Sequence, residues 1–498
     1  MAFNKLTAEE AAALITNGST VGLSGFTAPG VPKAVPEAVA AHAEAEHEAG
    51  REFKIDIFSG ASTGDHCDGV LARNNAIGRR TPYQNHPDLR KRINSHDANY
   101  FDLHLSELAQ KMRYGFYGDI DIAVIEVQDI DENGEAVLGL GVGNAPTWVN
   151  MAKKIIIEHN HRLPSGLRGV HDVYLPDDPP YRRDIPIYKV SDRAGSPILK
   201  IDPSKIVGVV ETDAPEGVKS FSAPDETTLK IGANVCNFLA GELHAGRIPS
   251  TFLPLQSGVG NVANAVLYGL AENLEIPPFE MYSEVLQDAV ADLLLKGRCK
   301  FASGSSLTMT DDTLETVFNN MDLLRDKIIL RPCEISNNPE VIRRLGVIAM
   351  NTALEADIFG NVNSTHVLGT RMMNGIGGSG DFTRNAYISI FSCPSVTKGG
   401  LISNIVPMVA HPDHSEHSVD VLITDQGIAD LRAKDPVQRA ETIIENCVNP
   451  MYRELLWDYL KLGNNGGQTP HSLAAAFAFH TEFANSGDMR NVDFGKYC

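Results

Sequence analysis

Short apolar runs alternate along the chain with longer amphipathic stretches. Residues 53–58, 120–125, 154–158, 205–210 and 419–424 are each a short run rich in aliphatic residues. Runs of that length and composition fit strands buried on both faces. Between them, helical patterning predicts helices over 35–45, 227–240 and 285–296. Near the start, Thr7 followed three residues later by Glu10 is a capping box opening an amphipathic helix. Strands alternating with helices predict an α/β fold with mostly parallel sheets.

Residues 160–204 interrupt the alternation. The stretch is rich in proline and charge, as in Asp177-Asp178-Pro179-Pro180-Tyr181-Arg182-Arg183, and reads as an irregular surface excursion near the junction of two halves. The expected domains are 1–215 and 216–498. An internal echo supports two related halves: Gly141-Val142-Gly143-Asn144-Ala145 resembles Gly258-Val259-Gly260-Asn261-Val262, and each glycine turn leads into a helical pattern. The echo predicts that the second turn lies, like the first, at the carboxyl edge of a sheet, where α/β proteins tend to bind ligands.

The second turn also fits a dinucleotide fingerprint. Gly258-Val259-Gly260-Asn261-Val262-Ala263 is G-x-G-x-x-A, preceded by the apolar residues 252–255 and followed by a helical pattern over 262–274 and an acidic residue, Glu284. A nicotinamide-dependent dehydrogenase is therefore one reading. Against it, Pro254 falls inside the supposed central strand, where it removes a ladder donor. The motif also does not open a domain, and Pro146 stands in the other copy where a small residue belongs.

Composition narrows the classes. The chain has 498 residues, enough for several cores, with 43% hydrophobic and 21% charged residues. No apolar run approaches the length of about 18 residues that a membrane helix needs. The net charge of −20 argues against nucleic acid or an anionic membrane as a partner. Seven cysteines, Cys67, Cys236, Cys299, Cys333, Cys393, Cys447 and Cys498, show no C-x-x-C spacing, which fits a reduced compartment. The start, Met1-Ala2-Phe3-Asn4-Lys5, lacks the pattern of a targeting segment, so the expected location is cytoplasmic.

An ordered set of motifs resembles the acetyl-CoA hydrolase/transferase family of class I coenzyme A transferases. The set comprises Gln256-Ser257-Gly258-Val259-Gly260-Asn261, Met281-Tyr282-Ser283-Glu284, Asn374-Gly375-Ile376-Gly377-Gly378-Ser379-Gly380-Asp381, Lys398-Gly399-Gly400 and Val421-Leu422-Ile423-Thr424-Asp425. It spans nearly the whole chain, and succinyl-CoA:acetate transferases are the members whose pattern is nearest. The resemblance implies two related α/β domains with the active site between them, the second domain carrying a nucleophilic glutamate, Glu284. It implies backbone donors for an oxyanion at Val259 and Gly378. Contacts to coenzyme A are implied at Gly258, Gly260, Asn261, Asn337, Gly377, Lys398 and Asp425. It also implies a homodimer, acyl-CoA and small carboxylic acids as substrates, and no permanently bound cofactor or metal.

The chemistry suits these residue types. A carboxylate nucleophile divides thioester exchange into easier steps. Glycine loops let backbone N–H groups turn toward a developing oxyanion. Read locally, Glu284 opens the helix predicted over 285–296, whose N-terminus would favour an ionised carboxylate. Asn337 is a helix N-cap candidate before Pro339, and Asp381 and Arg384 read as structural. The residues Phe26 to Gly30 are candidates for the acceptor pocket by the same resemblance. The cluster His411-Pro412-Asp413-His414-Ser415-Glu416-His417 fits no zinc spacing and reads as a solvated polar loop. Acyl-CoA hydrolysis uses the same machinery and is the nearest alternative. A coenzyme A-binding module without turnover is a further one.

Overall fold

A computed structural model describes residues 3–219 and 223–497; Met1, Ala2 and Cys498 lie outside the described residues. The chain forms two compact units. The first comprises Met1–Ser220, Phe279–Leu345 and Asn374–Asp381, and the second comprises Phe221–Pro278, Gly346–Met373 and Phe382–Cys498.

In the first unit the opening capping box forms as predicted, with Thr7 and Glu10 side chains each accepting from the other's backbone N–H, at 3.1 and 2.8 Å. Nine strands follow: β1 (Thr20–Leu23), β2 (Ile55–Phe58), β3 (Ile77–Thr81), β4 (Asn99–Tyr100), β5 (Ile122–Ile130), β6 (Glu135–Leu138), β7 (Lys154–Asn160), β8 (Leu199–Lys200) and β9 (Ile206–Thr212). The parallel sheet runs β4-β3-β2-β1-β5-β7-β9. The long β5 pairs with β7 along its first part, and its far end turns back through β6 and β8 as an antiparallel branch. Four of the apolar runs therefore are strands, extended where pairing continues past the apolar stretch. The helix Ala34–Glu48 buries Val35, Val39, Ala40 and Ala43 against this sheet.

Residues 279–345 add a second set of parallel strands, Phe279–Tyr282, Cys299–Gly304 and Ile328–Leu330, to the first unit. This corrects the contiguous halves expected at 1–215 and 216–498, and it moves Glu284 into the first unit. Backbone pairing is the physical reason. Leu307 donates to Leu140 at 2.9 Å, Val142 to Ser305 at 2.9 Å, Leu330 to Val170 at 3.0 Å and Asp172 to Leu330 at 2.9 Å. The excursion at 160–204 is thereby less superficial than expected. His171, Asp172, Ile185, Ile187 and Val190 are buried. Arg331, fully buried, pairs with Asp172 and donates to the Val190 and Asp192 carbonyls.

The second unit holds a parallel run Leu255–Ser257, Ile348–Thr352, Ile388–Ser392 and Val421–Ile423, closed by the antiparallel strand Ile428–Asp430. Its helix Glu226–His244 covers the run predicted at 227–240. Pro254 does not break the first strand. It sits one residue before it, and its carbonyl still accepts from Ile348 at 2.9 Å. The fingerprint thus folds as strand, glycine turn and helix (Asn261–Glu272), with Gly260 at φ 121°, a conformation that favours glycine. The echo holds for turn and helix, since Gly143 and Asn144 lead into Ala145–Met151. It fails for the preceding strand, because β6 runs antiparallel to its neighbours. Among the described residues no helix is long and apolar enough to cross a membrane.

Candidate active site

Glu284 sits at a break between two strands. Phe279–Tyr282 ends just before it, and Val285–Gln287 begins just after, paired in parallel with Ser306–Thr308. The helix predicted over 285–296 begins only at Asp288. β-branched Val285 and buried Leu286 satisfy a strand first, which removes Glu284 from the helix N-terminus. The break is rigid. Ser283 donates to Ser303 at 2.9 Å, Ser305 donates to the Glu284 carbonyl at 2.7 Å, and the buried Tyr282 hydroxyl donates to the Ile335 carbonyl at 2.6 Å.

Three polar groups organise the carboxyl. The Asn337 amide donates to Glu284 Oε2 at 3.3 Å and lies 3.5 Å from Asp381 Oδ2. Asp381 in turn accepts from the Ser106 hydroxyl at 2.6 Å and from the Ser106 N–H at 3.0 Å. Asn337 is fully buried just past the short helix Cys333–Ser336, to which its own N–H bonds. The cap expected of Asn337 is supplied one residue later: Asn338 accepts from Glu340 and Val341. The doublet thus divides its roles, and Asn337 is free to point its amide at two acids.

The start of the Cys333–Ser336 helix is fixed by two contacts. Cys333 donates to the Gly143 carbonyl at 2.8 Å, so the first glycine turn supports it. Glu334 accepts two 2.8 Å bonds from Arg113, at the far end of the helix Leu105–Arg113 that begins beside Ser106. The expected glycine loop closes the other side. A Cβ on Gly378 would collide with the Glu284 carboxyl and the Asn337 amide, one on Gly375 with the Tyr100 hydroxyl, and one on Gly380 with the His104 ring. Gly377 has φ 63°. Asp102 anchors the loop by accepting from Ile376 at 2.7 Å.

The surroundings are apolar. Phe26, Ala61, Leu105, Val285 and Cys333 form one buried cluster with Tyr83 packed on it. The N-terminal loop expected near the site therefore contributes Phe26. Burial, reinforced by the nearby Asp381 charge and only partly offset by the Asn337 bond, pushes the Glu284 carboxyl up to about 8. Burial likewise raises Asp381 to about 7, against the Ser106 bonds that favour its charge. The helix-dipole expectation had the opposite sign. A largely desolvated, hydrogen-bonded carboxyl next to a glycine backbone is equipped for nucleophilic acyl chemistry.

Of the residues singled out in the sequence, Glu284, Asn337, Gly377 and Gly378 come together in the first unit. Gly258, Val259, Gly260, Asn261, Lys398 and Asp425 belong to the second. There Val259 is exposed, and exposed Lys398 lies 5.1 Å from the Phe483 ring centroid. Asp425 accepts from the Ser395 N–H at 2.6 Å and from the Gln426 amide at 2.6 Å. The loop at 411–417 is more packed than expected. His414 is buried, and Asp413 accepts from the Ser364 N–H at 2.7 Å. Sequence reasoning missed Ser106 and Arg113 and read Asp381 as structural. Only the acid and glycine of Gly380-Asp381 carried a local signal.

Known proteins resemble the chain over nearly its full length. Residues 2–211 match the acetyl-CoA hydrolase/transferase N-terminal domain and residues 314–460 its C-terminal domain. The propanoyl-CoA:succinate CoA transferase of Escherichia coli (strain K12) is 50% identical, covering 98% of this chain and 99% of its own. The succinyl-CoA:acetate CoA-transferase of Clostridium kluyveri is 45% identical, covering 97% and 90%. An acetyl-CoA hydrolase of Yarrowia lipolytica is 42% identical, covering 94% and 93%. The crystal structure of RipA from Yersinia pestis shares the fold at a TM-score of 0.72 and 21% identity, covering 92% of this chain and 97% of its own.

Proposed function

Because the chain belongs to the acetyl-CoA hydrolase/transferase family, we propose that it transfers coenzyme A between succinyl-CoA and a short-chain monocarboxylic acid, with acetate as the acceptor, through covalent intermediates on Glu284. The supporting observation is the Glu284 carboxyl itself, held by Asn337 in an apolar pocket with Gly378 pressed against it. The ionised carboxylate attacks the thioester carbonyl, and the carbon–sulfur bond breaks to give a succinyl-glutamyl anhydride and coenzyme A thiolate. The thiolate attacks the glutamyl carbonyl, releasing succinate and leaving a glutamyl-CoA thioester. Acetate then attacks that thioester, and the thiolate takes the acetyl group from the resulting anhydride, regenerating Glu284. Each tetrahedral oxyanion needs preorganised donors, one of which is worth about 3–4 kcal/mol. Gly378 N–H is proposed for this in the first unit, and Val259 N–H is the second donor that the resemblance carries. Gly258, Gly260, Asn261, Asn337, Gly377, Lys398 and Asp425 are proposed to contact coenzyme A on the same basis.

Two relatives are named for exchange between an acyl-CoA and a carboxylic acid, each with a succinyl partner. Relatives named as acetyl-CoA hydrolases support the second reading, in which water takes the acyl group at the same site. Purified protein given succinyl-CoA and isotopically labelled acetate separates the readings. Labelled acetyl-CoA appearing in step with succinyl-CoA loss is expected. Free coenzyme A alone would establish hydrolysis instead. Propanoate outcompeting acetate would reassign the acceptor. Activity surviving in Glu284→Ala would overturn the covalent route.

A further inference from the structure

Away from Glu284, the edge of the first unit's main sheet brings together His159, His161 and Glu211. Among the described residues this is the group of His, Cys and acidic side chains whose ligand atoms all lie within 4.8 Å of one another. His159 pairs with Glu211 of β9 one residue before the end of β7, and the His161 N–H closes the same ladder by donating to the Thr212 carbonyl at 2.8 Å. The backbone under all three is therefore fixed by strand pairing. One carboxylate oxygen, Glu211 Oε2, faces both rings: 3.0 Å from His159 Nδ1 and 2.6 Å from His161 Nε2.

The hydrogen bonding of His159 makes this more than an ion pair on a surface. Its Nε2 lies 3.1 Å from the Gln128 carbonyl of β5, an acceptor, so that nitrogen carries the proton. The other nitrogen, Nδ1, is buried and has no hydrogen-bond partner, and only 9% of the residue is exposed. In the neutral ring Nδ1 is an acceptor with a carboxylate oxygen 3.0 Å away, outside hydrogen-bond alignment, a pair that a shared cation, proton or metal, would hold together. A backbone carbonyl fixing the tautomer of an imidazole is also the usual outer support of a metal-bound histidine.

We propose that His159 Nδ1, His161 Nε2 and Glu211 form a binding site for a zinc-class divalent cation. Two imidazoles and one carboxylate are the donor set such ions take, with the remaining positions left to water. Bond lengths of about 2.0–2.2 Å place tetrahedral ligands roughly 3.3 Å apart. The observed separations reach that by small ring rotations, which the more exposed His161 permits. Lys5, whose ammonium lies 3.2 Å from Glu211 Oε1, neutralises the same carboxylate and competes with the ion. The expectation of no metal drew on the acyl-transfer chemistry and on the loop at 411–417; residues 159, 161 and 211 share no recognisable motif and meet only through the β7–β9 register.

The test uses full-length, untagged protein stripped with a chelator and titrated with zinc chloride, followed by equilibrium dialysis and thermal melting. Cobalt(II) absorption provides a second probe of the ligand set. Uptake of about one ion per chain with a rise in melting temperature is expected. Affinity should fall at least tenfold in His161→Ala and in Glu211→Gln, and stay unchanged in His411→Ala. Lys5→Met should tighten binding several-fold. His161 is mostly at the surface, so His161→Ala folds even if Glu211→Gln does not. Absence of binding, or binding that survives His161→Ala, would overturn the site and leave a proton, not a metal, between His159 and Glu211.

Discussion

Replacing Glu284 by Gln should abolish turnover and stabilise the protein, and the stabilisation should depend on pH. A carboxyl raised from 4.5 to about 8 holds its proton in the folded state over a range where the unfolded chain has lost it. The folded state then binds more protons than the unfolded one, so stability falls as pH rises from about 4.5 to about 8 and levels off above that. A shift of about 3.5 pH units corresponds to about 5 kcal/mol at the plateau. Glu284 keeps a partial opening to solvent, which lowers the expected penalty to about 2–5 kcal/mol. The Gln side chain never ionises, keeps an oxygen for the Asn337 amide, and escapes this penalty. Melting curves of both proteins from pH 5 to pH 9 measure it. At pH 5 the midpoints should nearly coincide, and by pH 9 the variant should melt several degrees higher. A difference that stays constant across this range would mean that the carboxyl is solvated, and the dry site on which the acyl-transfer reading depends would be lost.

Five further outcomes follow from the same geometry. The kcat/KM profile should climb about tenfold per pH unit and level near pH 8, because only the ionised carboxyl attacks. Asp381→Asn removes a charge that opposes ionisation of Glu284 and should move that limb to lower pH; a limb that does not move would separate the two acids. Asn337→Ala removes the bond that favours the ionised form and should move the limb upward, with kcat lower by about 100-fold. Gly378→Ala places a methyl group against the carboxyl and should lose activity at least as severely while melting and circular dichroism remain near normal. Arg113→Met removes both short bonds to buried Glu334, leaving it only the Arg182 guanidinium 3.7 Å away, and should cost about 3 kcal/mol by denaturant titration.

The fold class was legible because its signal is local. Short β-branched runs such as that at 154–158 fit a strand buried on both faces, and β7 lies between β5 and β9. The division into units was not legible. It depends on bonds such as Leu307 to Leu140 and Leu330 to Val170, made by backbone groups whose sequence neighbours look like any strand. The start of the helix after Glu284 was misplaced for a related reason. Val285 and Leu286 fit a helix stripe and a short strand equally well, and the partner at 306–308 decided between them.

That misplacement changed the sign of the electrostatics, and with it the account of reactivity. A glutamate at a helix N-terminus would be ionised and well solvated, hence a weak nucleophile with little to gain from its surroundings. The glutamate found between two strands is the reverse: desolvated, raised, and held by one amide that also reaches a second acid. The Asn337 amide reaches both carboxylates, and the Ser106 bonds favour the charged form of Asp381. A charge on Asp381 opposes ionisation of Glu284. On the proposed covalent route, a bound group that discharges Asp381 or displaces its share of the Asn337 amide would then favour the ionised Glu284 that attacks. Asp381→Asn tests this directly: if the resting charge on Asp381 protects the site, the variant should gain thioester hydrolysis in the absence of any acceptor acid. An unchanged ratio of hydrolysis to transfer would leave Asp381 a purely structural anchor for Ser106.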